Sequence, residues 1–325
     1  MAIDLTSVGD FAWDVLIRTD TELQHGGDTF GDVLLLPGGS AANVAVWAAR
    51  CGVDAHFVGK VGTDRLGEMA HENLADEGVG DHMTATDSHR TGSVAVFVDH
   101  TSERSMVSGH GADHFLYPAD LPRDLLGATQ HLHLTAWSFF IDPPRSAARE
   151  AAHLAKAGGA TISFDPSSFQ LIDDMGVDEF LDVTADLDID LLLPNREEGA
   201  TLTGEREPEA IAEKLAELYP GARIVLKLDE DGALILLDNG PVMVPPARTS
   251  PVDSTGAGDS FAGAFLAKHL RGASEVEAAE FASQVAGWVI EHLGARGTGH
   301  GTRRARARAG THLSSNTPAA YTRTP

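Results

Sequence analysis

The chain has 325 residues, with 48 acidic and 24 basic side chains and a formal net charge of −24. Hydrophobic residues make up 42% of it, enough to form the core of one large domain or two smaller ones. So negative a surface repels nucleic acid and anionic membranes, which excludes both as expected partners of the main body. No apolar run of about 18 residues predicts a membrane helix, the start lacks the features of a signal peptide, and the single cysteine, Cys51, fits a reducing cytoplasm.

The charge is unevenly distributed along the chain. The final 34 residues contain six arginines and no acidic residue, so residues 1–291 alone carry a net charge of −30. The arginine-rich stretch 303–310 and its small polar neighbours predict a disordered tail over residues 299–325, and an anion-binding arm is the alternative. Extreme acidity with only five lysines indicates a halophilic protein from a salt-rich cytosol, and an acidic mesophile is the alternative.

Strand-like and helix-like segments alternate along most of the chain. In chain order the pattern predicts a strand at 3–8, helices at 40–51 and 145–157, strands at 161–164 and 190–193, a helix at 208–219, strands at 223–226 and 233–237, and helices at 258–270 and 275–293. The short apolar strands are typical of buried parallel strands. This order predicts an α/β fold with a doubly wound, mostly parallel sheet flanked by helices.

Four further strands are predicted within the first 110 residues, at 14–18, 33–36, 93–98 and 105–108. They are too numerous and too closely spaced to be further strand–helix–strand units. We therefore predict a small β-sheet lid, built from about residues 14–36 and 91–109, that interrupts a main domain spanning residues 1–298.

The segment 253–259, Asp-Ser-Thr-Gly-Ala-Gly-Asp, leads into an apolar helix. Gly256 and Gly258 permit a tight turn and the close approach of a ligand to the backbone. The helix N-terminus presents N–H groups and a positive dipole end to an anion. Asp259 is then either a general base in a phosphoryl transfer or an N-cap, and the residues alone support both roles about equally.

A second glycine-rich segment, Gly38-Gly39, precedes a helix whose first turn carries Asn43. The glycines let a polyol approach the backbone, and the Asn43 amide can both donate to and accept from hydroxyl groups. The alternative is a simple helix start with Ser40 as the N-cap. Because the chain contains neither G-x-G-x-x-G nor G-x-x-x-x-G-K-[ST], a dinucleotide fingerprint and a P-loop are excluded.

Together these two segments resemble the signatures of the ribokinase-like (PfkB) carbohydrate kinase family. The resemblance runs from about residue 5 to residue 298, and the intermediate segments 58–64, 91–98, 194–198 and 225–233 match in order. It implies an ATP- and Mg²⁺-dependent kinase acting on a free pentose or hexose. A nucleoside or a sugar phosphate such as ribose 1-phosphate is the alternative substrate, and a catalytically dead binding protein is the second alternative.

The resemblance also implies a role for each matching residue. Asp259 would be the catalytic base, and the N–H groups of Gly256, Ala257 and Gly258 would form the anion hole around the transferred phosphate. The residues implied to bind the sugar are Asp14, Gly38, Gly39, Asn43, Arg104 and Asp259. Those implied to bind the nucleotide are Asn195, Lys227, Asp229, Gly232, Gly256, Gly258 and Ser283.

Metal sites and a subunit contact are implied in the same way. Asn195 and Glu198 would hold Mg²⁺ through water. The positions that match a possible K⁺ site are Asp253, Thr255, Val289, His292, Gly294 and Thr298. Relatives often dimerise through the lid, which implies a homodimer here.

Three positions depart from the family pattern on the nucleotide side. Asp229 replaces a glycine, Lys227 replaces a frequent threonine, and Ser283 replaces a common asparagine. We therefore expect a different nucleotide register, with Lys227 able to contact a phosphate.

Overall fold

A large mixed sheet lies at the centre of the computed structural model, which describes residues 3–19, 21–98 and 104–297. The strands are β1 (Leu5–Val8), β2 (Ala12–Thr19), β3 (Gly31–Pro37), β4 (Ala55–Val58), β5 (Lys60–Gly62), β6 (Gly80–Asp81), β7 (Thr84–Thr86), β8 (Gly92–Val98), β9 (Arg104–Ser108), β10 (His131–Thr135), β11 (Thr161–Asp165), β12 (Leu191–Leu192), β13 (Arg223–Lys227), β14 (Ala233–Leu237) and β15 (Gly240–Val244). The helices are α1 (Ser40–Arg50), α2 (Arg65–Glu77), α3 (Arg123–Leu126), α4 (Pro144–Ala157), α5 (Phe169–Met175), α6 (Val177–Thr184), α7 (Arg196–Thr203), α8 (Pro208–Leu218), α9 (Ala257–His269) and α10 (Glu275–Val289).

The large sheet has the strand order β15-β14-β13-β12-β11-β10-β1-β4-β6. The seven strands from β13 to β6 run parallel, whereas β14 and β15 are antiparallel to their neighbours. The prediction of a parallel strand at 233–237 is therefore wrong in direction. A short turn joins β13 to β14, and a parallel pairing would need a crossover of about a dozen residues or more.

Helices cover both faces of this sheet. Helices α1, α9 and α10 pack on one face against side chains such as Leu191 and Val225. Helices α4 to α8 contribute to the core on the other face, against side chains such as Leu192 and Phe164. Burial on both faces is typical of the parallel sheets of α/β proteins, and the predicted mostly parallel α/β fold is confirmed.

A separate four-stranded sheet has the order β3-β2-β8-β9. Its residues alternate between two faces, as a pleated strand requires. Asp14, Val94, Val96, Met106 and Ser108 face a large cavity. The predicted small sheet is confirmed, and its outer face carries a row of apolar side chains.

Some predictions fall outside the described residues. These include the tail 299–325, Thr298 and the side chain of Arg104, whose backbone begins β9. Among the residues that the structure does describe, no helix is both long and apolar enough to cross a membrane.

Candidate active site

A cavity of about 1120 Å³ lies between the small sheet and the large sheet. Parallel strands of an open α/β sheet form their ligand sites at the carboxyl ends, and Asp10, Asp165 and Lys227 reach this cavity from the ends of β1, β11 and β13. The sequence-predicted site residues in its lining are Asp14, Gly39, Asn43, Asn195, Glu198, Lys227, Asp229, Gly232, Thr255, Gly256, Ala257, Gly258, Asp259 and Ser283.

Asp259 lies in the first turn of α9, beside the glycine-rich turn. Gly256 is the N-cap, with φ of 74°, and a Cβ added to it would lie 2.5 Å from Ala295 Cα. Glycine is therefore required both by the backbone conformation and by the close approach of another segment. The N-cap alternative for Asp259 is wrong, because its Oδ2 accepts a hydrogen bond of 2.7 Å from Asn43 Nδ2 rather than capping the backbone.

The electrostatic environment of Asp259 suits a proton acceptor. Burial raises the pKa of Asp259 to about 7, and the Asn43 hydrogen bond opposes this rise. The negative charges of Asp165 and Asp10 raise the pKa further, while Lys227 lowers it. A base whose pKa lies near neutrality accepts a proton most effectively at neutral pH.

The N–H groups of the turn are only partly engaged within the chain. The Ala257 N–H makes a long hydrogen bond of 3.3 Å to the Ser254 carbonyl. The N-terminus of α9 faces the cavity and carries the positive end of the helix dipole. An anion at this turn would therefore be stabilised beside Asp259.

The start of α1 is shaped by two aspartates, Asp10 in the loop after β1 and Asp14 on β2. Gly39 has φ of 85°, and a Cβ added there would lie 2.5 Å from the Asp10 carbonyl oxygen; one added to Gly38 would lie 2.5 Å from Asp14 Oδ2. Ser40 is not the N-cap, because the Asp10 carboxylate accepts hydrogen bonds from Ser40 N at 2.8 Å and Ala41 N at 3.2 Å. A buried carboxylate thus satisfies the first N–H groups of α1.

Three carboxyl groups line the same end of the cavity. Burial raises the pKa of Asp14 to about 6, with Arg296 opposing, and burial with the charge of Asp10 raises the pKa of Asp113 to about 7. Burial also raises the pKa of Asp10. Sequence reasoning identified only Asp14, although the position of Asp10 directly after a buried strand was a usable signal.

Lys227 supplies positive charge next to the turn. Its Nζ lies 2.6 Å from Asp165 Oδ2, and a Cβ added to Gly258 would lie 3.3 Å from the same Nζ. Burial opposes the charge, but Asp165 and Glu198 outweigh it and raise the pKa of Lys227. The lysine therefore stays cationic where a phosphate would lie.

Asn195 and Glu198 form a capping box at the start of α7. Asn195 N and Nδ2 donate to the two oxygens of Glu198 at 2.8 Å, and Asn195 Oδ1 accepts from Glu198 N at 2.8 Å. Burial and the nearby charge of Asp165 raise the pKa of Glu198 to about 8. The side-chain oxygens of Asn195 and Glu198 and the negative charge of Asp165 suit a hydrated hard cation such as Mg²⁺, which keeps several of its waters.

The remaining predicted nucleotide residues are Asp229 and Gly232, in the turn that follows Lys227, and Ser283 on α10. Asp229 has φ of 52°, in the left-handed region where glycine is favoured, and burial and Glu230 raise its pKa. Gly232 has φ of 94°, and a Cβ there would lie 2.1 Å from the Val244 carbonyl oxygen. Ser283 is a buried residue of α10 in the cavity lining.

Two of the predicted K⁺ positions, Thr255 and Gly294, bond to a third, Asp253. Its Oδ1 accepts from Thr255 N at 2.9 Å and Thr255 Oγ1 at 2.6 Å, and its Oδ2 accepts from Gly294 N at 2.8 Å. The Val289 carbonyl accepts from His292 N at 2.9 Å, and His292 Nδ1 lies 2.7 Å from the Trp288 carbonyl oxygen. Thr255 belongs to the main cavity lining, whereas Asp253, Val289, His292 and Gly294 do not.

Arg296 is a site residue that sequence reasoning missed. It is only 4% exposed, and its guanidinium reaches Asn43, Gly38 and Asn73. In the sequence it is one of six arginines in a basic C-terminal stretch, and no local pattern distinguishes it from the others.

Comparisons with known proteins agree with this geometry. A sequence model described as pfkB family carbohydrate kinase matches residues 2–300. A fructokinase from Klebsiella pneumoniae is 34% identical over 246 residues, covering 74% of this chain and 79% of that protein. An ATP-dependent ribose-1-phosphate kinase from Halopiger xanaduensis is 28% identical over 296 residues, covering 90% and 94%. The crystal structure of adenosine kinase from Sinorhizobium meliloti superposes with a TM-score of 0.81 at 26% identity, covering 94% of this chain and 99% of that one.

Proposed function

Because the chain belongs to the pfkB family of carbohydrate kinases, we propose that it transfers the terminal phosphoryl group of ATP to a hydroxyl of a free pentose or hexose. The observation that carries the proposal is the position of Asp259. Asp259 is half-buried, burial raises the pKa of its carboxyl to about 7, and it lies beside both the N-terminus of α9 and the carboxyl-lined end of the cavity.

In the proposed mechanism, Asp259 accepts the proton of the sugar hydroxyl while the hydroxyl oxygen bonds to the terminal phosphorus of ATP. The bond between that phosphorus and the bridging oxygen breaks, ADP leaves, and the proton later passes from Asp259 to solvent. The N–H groups of residues 256–258 and the Lys227 ammonium stabilise negative charge on the transferred group. Proton abstraction contributes about 10²- to 10⁴-fold to the rate.

The charges around the cavity favour a neutral sugar over a sugar phosphate. Asp10, Asp14 and Asp113 line the end next to the small sheet. Within the described lining, the lysine and arginine side chains that carry positive charge are Lys227 and Arg248, and both lie outside the small sheet. Carboxyl groups accept hydrogen bonds from hydroxyls, whereas they repel a phosphate.

A phosphorylation screen tests the substrate proposal. Free pentoses, free hexoses, nucleosides, ribose 1-phosphate and fructose 6-phosphate would each be offered with ATP in a coupled assay of ADP release. We expect turnover with at least one free sugar and loss of that turnover in Asp259→Asn. Turnover confined to sugar phosphates or nucleosides would overturn the substrate class, and unchanged turnover in Asp259→Asn would overturn the mechanism.

We propose that Mg²⁺ binds together with ATP and is held through water by Asn195 and Glu198. We also propose that K⁺ binds beside Asp253. When bound, Mg²⁺ supplies positive charge to the phosphates. In the absence of the metal, burial raises the pKa of Glu198 to about 8, so metal binding would release a proton near neutrality. Proton release on adding Mg²⁺ and ATP, and its loss in Glu198→Gln, tests this site by calorimetry in two buffers of different ionisation enthalpy.

We propose a homodimer formed through the small sheet. Strand register places Val33 and Leu35 on its outer face, opposite the cavity, and they are 66% and 43% exposed. Val107 on the same face is 63% exposed. An exposed apolar sheet face needs a cover, so light scattering should give twice the chain mass, falling to one chain mass in Val33→Glu/Leu35→Glu. A monomeric wild type would refute the dimer.

We propose that the protein functions in a cytoplasm with a high salt concentration. The support is compositional: 48 acidic side chains against 24 basic ones over the whole chain. At high ionic strength the repulsion among such charges is screened, so the acidic surface stays hydrated without destabilising the fold.

A further inference from the structure

A buried arginine joins the sugar-side loop to the proposed catalytic base. The Nε of Arg296 donates to Asn43 Oδ1 at 2.8 Å, and its Nη2 donates to the Gly38 carbonyl at 3.2 Å. The Nη1 donates to Asn73 Oδ1 on α2. A fourth partner is the ring of Phe11, whose centroid lies 5.6 Å from the guanidinium carbon.

The arginine is itself held in place by its backbone. Trp47 Nε1 donates to the Ala295 carbonyl at 3.0 Å, and Arg50 Nη1 donates to the Arg296 carbonyl at 2.7 Å. A side chain that is 4% exposed and anchored at both ends has little freedom to change its contacts. Its position is therefore fixed before any substrate binds.

We infer that Arg296 is a positioning residue that sets the orientation of the Asn43 amide toward Asp259. An arginine can only donate hydrogen bonds, so it must face the amide oxygen of Asn43. The Nδ2 group then points to Asp259 Oδ2, 2.7 Å away. A flipped amide would place its NH₂ against the guanidinium and its oxygen against the carboxylate, and both contacts would be repulsive.

This orientation has a consequence for the transfer step. With Asn43 Nδ2 bonded to Oδ2, the carboxylate of Asp259 is held in one rotation and its other oxygen is available to the substrate hydroxyl. Near-attack geometry of this kind is what makes a base effective. The inference rests on the proposed role of Asp259, and Arg296 acts through Asn43 without touching the reacting atoms.

A double-mutant cycle tests the inference. Since hydrogen bonds to charged groups are strong, Arg296→Met should lower kcat at saturating sugar and ATP by about 10- to 100-fold. In an Asn43→Ala background the same substitution should change kcat by less than about twofold, because the group it positions is gone. Equal losses in both backgrounds would overturn the inference.

Two further variants separate positioning from loss of stability. Arg296→Lys keeps the charge but one ammonium cannot serve all three acceptors, so we expect partial recovery of kcat; if Arg296→Met fails to fold, this variant carries the cycle. The control is Arg145→Met, which removes a half-buried arginine bonded to the Phe139 carbonyl and should leave kcat unchanged. A kcat that follows thermal stability across all three variants would also overturn the inference. Turnover retained in Asp259→Asn would instead refute the proposed base.

Discussion

Asp259 gives the active site a specific pH dependence. Its carboxyl must be ionised to accept a proton, and burial raises its pKa to about 7. We therefore expect kcat/KM for the sugar, which reports ionisations of the free enzyme, to rise with pH through this value and to fall about tenfold per pH unit on the acid side. Initial rates at subsaturating sugar between about pH 5.5 and 8.5 measure it, and a flat profile would argue against Asp259 as the base.

Asp14 provides the matched control for this profile, because burial also raises its pKa, to about 6. It lines the sugar end of the cavity and has no described bond to Asp259. Asp14→Asn should raise the KM for sugar and leave the acid limb of the kcat/KM profile in place. If the acid limb disappears in Asp14→Asn, the group that titrates is Asp14 and not Asp259.

Asp229 should weaken ATP binding in the natural sequence. Asp229 lines the cavity near Lys227, at φ of 52°, so its carboxylate would repel the phosphates of ATP bound there. Removing a repulsion of about 1 kcal/mol in Asp229→Gly should lower the KM for ATP about fivefold. Glycine also relieves the left-handed strain, although its greater freedom in the unfolded chain offsets part of that gain.

Asp188 is the control for this change, since it is an aspartate at φ of 51°. It pairs with Lys156 at 3.0 Å and does not line the cavity. Asp188→Gly should alter stability similarly and leave the KM for ATP unchanged. The same KM change in both variants would show that backbone strain, and not charge, is responsible.

Local patterns predicted the residues whose function depends on neighbours in sequence. The turn at Gly256 and Asp259 follows from glycines beside a helix start, and the structure places both in the cavity. Arg296 and Asp113 could not be predicted in this way, because their partners lie on distant segments. The N-cap alternative for Ser40 was wrong for the same reason, because Asp10, remote in sequence, accepts the bonds of the first N–H groups. The N-cap alternative for Asp259 was wrong because the helix begins earlier, with Gly256 as its N-cap.

Strand β10 carries two buried histidines that should make the fold sensitive to acid. Burial lowers the pKa of both His131 and His133 to about 3, below the value of about 6.5 in an unfolded chain. Because the unfolded chain binds protons first as the pH falls, each neutral histidine contributes fully to the free energy of unfolding above about pH 6.5. That contribution then decreases by about 1.4 kcal/mol for each pH unit as the pH falls toward 3. The buried carboxyls with raised pKa oppose this trend, so only a difference between variants isolates it.

His133→Leu should therefore reduce the acid sensitivity of unfolding. His133 Nε2 has no hydrogen-bond partner among the described residues, and Ser163 keeps its contact with His131. Urea unfolding at about pH 7 and pH 5 should show the variant losing about 2 kcal/mol less than the wild type. His153→Leu, on the exposed side of α4, should keep the wild-type difference, and equal losses in all three proteins would refute the prediction.

The elements themselves were predictable wherever periodicity was strong. The apolar strand at Arg223–Lys227 and the long helix at Glu275–Val289 lie close to their predicted bounds. Strand β15, Gly240–Val244, was missed because alternate residues are exposed and Pro241 interrupts the pattern. Its position at the sheet edge explains both features, since only an edge strand tolerates a proline.

Charge acts on the molecule as a whole, and its effect depends on salt. Residues 1–291 carry a net charge of −30, and the Debye length falls from about 10 Å at 0.1 M salt to about 3 Å at 1 M. We expect the unfolding temperature and kcat/KM to rise as KCl increases over this range, because screening removes self-repulsion and eases the approach of ATP. NaCl at equal ionic strength is the control: it should match KCl in stability, and a shortfall in activity alone would show an effect of K⁺ beyond ionic strength, as the proposed site beside Asp253 requires. Full stability and activity in dilute buffer would show that the acidic surface is no adaptation to salt, because the self-repulsion of the body would then be too weak to matter.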